Sequence, residues 1–163
     1  MPRSFVGSAA FLWGVGGIAA LLIGALSRLL PHALESLHYS WTWWQGILVV
    51  VWIVFMVVSE GYDGFQKRLL PRVYARATAL YYGTGHRLDR VLAPLYCLNY
   101  FHAELRRMII AYTALILIVA AVIVVHALDQ PLRGMIDWGV VAGLGYGLAV
   151  LVLRLPGAIK SLR

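Results

Sequence analysis

The sequence predicts an all-α integral membrane protein with four transmembrane helices and an amphipathic helical segment between the second and third. Three observations carry this. The chain is 61% hydrophobic and only 13% charged, where a soluble domain carries about a quarter charged residues. Its apolar residues fall in long windows free of charge. Its cations lie almost entirely on one side of those windows. Too little polar surface remains to cover a globular body in water, which excludes a soluble enzyme, a disordered tail and a secreted disulfide scaffold. At 163 residues the length allows one domain.

The windows define the spans, each near the roughly 20 apolar residues needed to cross the hydrocarbon core. The first runs over 4–27, between Arg3 and Arg28. It exceeds the roughly 7–15 residues of a signal-peptide core and is expected to stay as a span. The second runs over 36–59, between Glu35 and Glu60, and the third over 108–128, between Arg107 and Asp129. The fourth, 134–153, reaches span length with Asp137 at the interface. Backbone in lipid must satisfy its own hydrogen bonds, and these continuous runs lack the alternation of a barrel, so helices are expected.

Charge then sets direction. Lys67, Arg68, Arg72, Arg76, Arg87, Arg90, Arg106 and Arg107 lie between the second and third spans, and Arg3, Arg154, Lys160 and Arg163 at the two ends of the chain. Only Arg28 and Arg133 fall on the other side. The positive-inside rule places both termini and segment 60–107 in the cytoplasm, which fits a bacterial inner membrane. Tyr39, Trp41, Trp43, Trp44 and Trp138 are then the outer aromatic belt.

Small residues predict packing. Gly139, Gly143 and Gly147 recur every four residues on the fourth span, and Gly16, Ala20 and Gly24 do so on the first. Such faces let backbones approach and gain dispersion contacts where lipid supplies no hydrophobic drive. The two faces are expected to pack together within the chain, with docking of a partner subunit as the sharper alternative. Trp13 and Trp52 sit at mid-span. Their indole N–H groups need acceptors, either backbone carbonyls or, less simply, a bound pigment or quinone.

Segment 60–107 opens with Glu60-Gly61-Tyr62-Asp63-Gly64, read as a flexible start at the membrane surface. Pro71 suits the first turn of a helix reaching about Tyr82, whose Val73, Ala77 and Leu80 form an apolar face expected to enter the acyl boundary. Gly83-Thr84-Gly85 breaks it. Helical spacing resumes at Arg87, with a kink at Pro94, and a continuous helix is expected from Leu95 to Leu128.

No metalloprotease, carboxylate-series or phosphate-loop motif is present, no nucleic-acid module either, and no catalytic or metal-ligating set is assigned. The lone Cys97 excludes an intrachain disulfide and is read as a packed thiol. No His lies at mid-span for a bis-histidine haem; His32, His38 and His126 sit at the outer rim, as interfacial loop residues do. Asp137 is expected to pair with Arg133 at i,i+4. Glu60, Asp63, His86 and His102 form the alternative polar site, for a membrane enzyme or redox protein acting on a lipid or quinone; Asp89 and Glu104 are read as Arg partners at a wet surface. The favoured expectation is a non-enzymatic accessory or assembly subunit, without cofactor. Its glycine faces would dock other membrane subunits or a second copy. Its eight inner cations would bind anionic lipid or an acidic partner.

Overall fold

The computed structural model describes residues 5–83 and 86–162. Arg3, Ser4, the Thr84–Gly85 part of the expected break, and Arg163 lie outside the described residues. The chain is 87% helical, and no strand occurs among the described residues. Four helical runs are long and apolar enough to cross a membrane: Phe5–His38, Trp43–Tyr81, Leu105–His126 and Leu132–Ser161.

Helix α1, Phe5–Glu35, continues past Ser27, where the window had ended, and a 3-10 turn follows at Ser36–His38. Pro31 lies inside it and removes one N–H from the hydrogen-bond ladder, and the last turn is held by packing. Ala33 and Ser36 are fully buried where the chain meets Gly134, at which a Cβ would strike the His32 carbonyl. Gln130 ties the same end, its side-chain amide donating to His32 O at 3.2 Å and accepting from Gly134 N–H at 3.2 Å.

Helix α2, Trp43–Met56, starts late in its window because Thr42 and Gln45 cap it, the Thr42 N–H donating to Gln45 Oε1 at 2.8 Å. The helical run does not end at Met56. A π-helix, Val57–Leu69, leads without a break into α3, Leu70–Tyr81, so the flexible opening expected at Glu60–Gly64 is helical. Of its two glycines, Gly61 serves close approach to the Leu132–Ser161 helix. A Cβ at Gly61 would come within 2.8 Å of the Tyr146 ring, and the Tyr146 hydroxyl donates to Gln66.

The long run packs along α7, Leu132–Ser161, and this corrects the expected glycine pairing. Gly139 faces Trp52, Gly143 faces Met56 O and Glu60, and Gly147 faces the Phe65 ring, which a Cβ there would approach to 2.7 Å. The fourth span therefore turns its glycine face to the second run. Gly16 and Gly24 have open space where a Cβ would stand. The first helix packs through the adjacent face, Gly7, Gly14 and Gly17, with Phe11, Val15, Ile18 and Leu22.

That face receives the segment expected in the cytoplasm. Val73, Ala77 and Leu80 of α3 are at most 1% exposed, against α1 rather than lipid. Beyond α3 lie α4, Arg87–Val91, and α5, Ala93–Cys97. Gly14 faces Ala93 and Cys97, and Gly17 faces the Pro94 ring. Gly17 lies about 18 Å along α1 from Phe5 at 1.5 Å per residue, so α4 and α5 lean on the body of the first span. Irregular backbone there needs partners for its polar groups. The Trp13 indole supplies one, donating to Val91 O, at the end of α4, at 2.9 Å. Trp52 similarly donates to Ile136 O at 3.0 Å. Both indoles thus take backbone carbonyls.

The expected helix Leu95–Leu128 is two pieces. After α5 the chain is irregular to Glu104, with Asn99 at φ +66° and His102 at φ +50°, and α6 begins at Leu105 and ends at His126. Asn tolerates the left-handed region better than most residues. Helix α6 has no buried residue. Lipid-facing exposure costs an apolar helix nothing. At its far end Arg133 donates to His126 Nδ1 at 2.9 Å, which replaces the expected Arg133–Asp137 pair. Asp137 is instead buried, with Oδ2 lacking a hydrogen-bond partner.

Candidate functional site

The two left-handed residues fold segment 98–104 back onto α4, and this builds a polar cluster around Asp89. Asp89 is 2% exposed. Its Oδ2 accepts from His86 N–H at 2.8 Å, capping α4, and its Oδ1 accepts from His102 Nδ1–H at 2.6 Å. The His102 side chain remains 53% exposed, so the imidazole is fixed at one nitrogen and open at the other. The His86 ring stands beside it, with centroids 5.4 Å apart.

Arg76 of α3 holds the loop from behind. One guanidinium nitrogen donates to Phe101 O at 2.9 Å and His102 O at 3.2 Å, and the group stacks on Tyr96 at 3.7 Å. A non-glycine residue in the left-handed region costs of order 1–3 kcal/mol. Two such residues persist here because Asp89 and Arg76 determine the loop from both sides. Buried polar atoms without partners also gather in this neighbourhood: Arg76 Nε, Arg90 Nε and Asn99 Oδ1.

The expected polar site therefore divides. His86 and His102 come together around Asp89, which is buried rather than a surface partner of Arg. Glu60 and Asp63 stay on the π-helix, Glu60 beside Gly143 and Asp63 paired with Lys67 at 2.8 Å. Asp89 and His102 are thirteen residues apart, and the expectation of an unbroken helix hid their meeting. The sequence signal was Asn99, a residue suited to a left-handed turn. Among the described residues no group of three His, Cys, Asp or Glu side chains is arranged to hold a metal ion.

The eight cations also divide. Arg76 is committed to the loop, Lys67 to Asp63, and Arg107 lies 3.4 Å from Glu104. Arg90 is half-buried, so Arg68, Arg72, Arg87 and Arg106 remain exposed, without an ion pair among the described residues.

Cys97 is fully buried under α1. Burial pushes its thiol from an ordinary 9.0 up to about 12, against a smaller opposing effect of Arg76. Burial favours the neutral thiol, so its contribution to stability is complete below pH 9 and is lost as pH rises toward 12. N-ethylmaleimide at pH 8 is expected to spare the folded protein and label Cys97 once it is unfolded; rapid labelling of the folded form refutes this burial.

Comparison with protein-family models, with characterised proteins and with solved structures found no match to this chain.

Proposed function

We propose that the chain is a membrane protein that grips anionic phospholipid headgroups at its basic pole, the end where α3, α4, α5 and the start of α6 gather. The observation that carries the reading is the set of four exposed cations without an ion pair among the described residues, Arg68, Arg72, Arg87 and Arg106. Arg87 adjoins a run of exposed apolar residues, Leu88 and Val91 on α4, Leu92 in the turn and Leu95 on α5. Apolar side chains beside unpaired Arg suit the headgroup–acyl boundary, where each cation is worth about 1 kcal/mol near an anionic surface. The positive-inside rule supports placing this pole in the cytoplasm, at a bacterial inner membrane.

A second reading, assembly with other membrane subunits or a second copy, is favoured by two uncovered surfaces. These are most of the surface of α6, which has no buried residue, and the Gly16–Ala20–Gly24 face. One measurement addresses both readings: native mass spectrometry of the protein released gently from membranes. Retained phosphatidylglycerol is expected to fall at least tenfold when the four Arg are replaced by Gln. Equal retention sinks the lipid reading, and a bare monomer in every preparation sinks assembly.

A further inference from the structure

The His86–Asp89–His102 arrangement exceeds what tying a loop requires. Here a buried carboxylate orients, through Nδ1, an imidazole that remains 53% exposed. The ring belongs to a residue at φ +50°, its own carbonyl is clamped by Arg76, and a second imidazole stands beside it. An imidazole fixed at Nδ1 by a carboxylate presents Nε2 as a proton acceptor, and strain concentrates where a side chain must be aimed.

We propose that His102 and His86 are the base and acid of a phosphodiester-cleaving site, with anionic phospholipid headgroups as the substrate class. The proposal rests on the headgroup contact argued above, since Arg68, Arg72, Arg87 and Arg106 are what gather a substrate already negative at phosphorus. His102 Nε2 takes a proton from water as the water oxygen bonds to phosphorus. The P–O bond to the headgroup alcohol breaks, and its electron pair leaves on the alcohol oxygen. His86, as imidazolium, gives that oxygen a proton. The products are a phosphomonoester lipid and a free alcohol; water is the co-reactant and nothing is oxidised or reduced. Asp89 and Arg76 are positioning residues, the first for the ring and the second for its backbone.

The test uses the full chain in nanodiscs of phosphatidylglycerol. Phosphorus-31 NMR separates diester from monoester, and lipid mass spectrometry reads binding independently. Wild type is expected to convert the lipid, and His102→Gly to lose at least a hundredfold in rate, within the usual range for removing a general base. Glycine accepts φ +50° without strain and keeps the Arg76 bonds to the carbonyls of residues 101 and 102 while giving up the Asp89 tie; added free imidazole, which can take the vacated place beside Asp89, is expected to restore part of the rate. Asp89→Asn should lower kcat with little change in KM, a split that a merely structural role does not produce. Wild type that binds phosphatidylglycerol but leaves it intact overturns the catalytic proposal alone, as does His102→Gly turning over at the wild-type rate. Failure to bind the lipid removes the headgroup reading and the catalysis with it.

Discussion

Gly17→Ala is expected to destabilise the protein by about 2–3 kcal/mol, at the upper end of the overpacking range. The neighbouring Gly16→Ala is expected to be neutral or to gain up to about 1 kcal/mol from helix propensity. A Cβ at Gly17 lands inside the Pro94 ring. That ring cannot rotate away, because it is closed onto its own backbone. Relief requires α5 to lift from α1, which also draws Ala93 and Cys97 out of the core they complete. At Gly16 nothing lies within 4 Å, so the same methyl group meets open space. Unfolding by SDS titration, followed by circular dichroism, separates the two. Equal behaviour would mean that α5 does not rest on α1.

Arg76→Leu is expected to cost about 2–4 kcal/mol and to concentrate its damage in segment 98–104. The substitution strips the Phe101 and His102 carbonyls of their donor and removes the stack on Tyr96. A carbonyl left without its partner costs about 1–3 kcal/mol, and bonds from a charged donor lie toward the strong end. Arg76→Lys keeps the charge but loses the planar fork and recovers only part of the loss. Hydrogen exchange in residues 98–104 should accelerate at least tenfold in Arg76→Leu, while α2 and α7 change little. Unchanged exchange in that segment would show that other contacts hold the loop.

These residues mark where the sequence could be read and where it could not. Charge-free windows locate the spans because each is decided by the local chain against lipid. The face of α3 is legible from Val73, Ala77 and Leu80, but not what covers it. Periodicity identifies an apolar stripe without saying whether it meets acyl chains or another helix, and here it meets Phe11 and Val15 of α1. The glycines are informative in the same limited way. Gly139, Gly143 and Gly147 announce a close approach, yet the identity of the neighbour follows from the helical continuity of Trp43–Tyr81. That continuity was hidden by Glu60-Gly61-Tyr62-Asp63-Gly64, which resembles a loop by composition. The polar site was the least legible part, because Asp89 and His102 meet only through two backbone angles that hydrophobic spacing does not encode.

The seat of Pro94 on Gly17 also imposes an order on biogenesis. The receiving face of α1 is synthesised long before the residues that fill it. At about 5–20 residues per second, Pro94 follows Gly17 by roughly 4–15 s. Through that interval Gly7, Gly14 and Gly17 present a bare small-residue face to whatever helices share the insertion site. The chain is completed only when residues 81–97 come back to claim it.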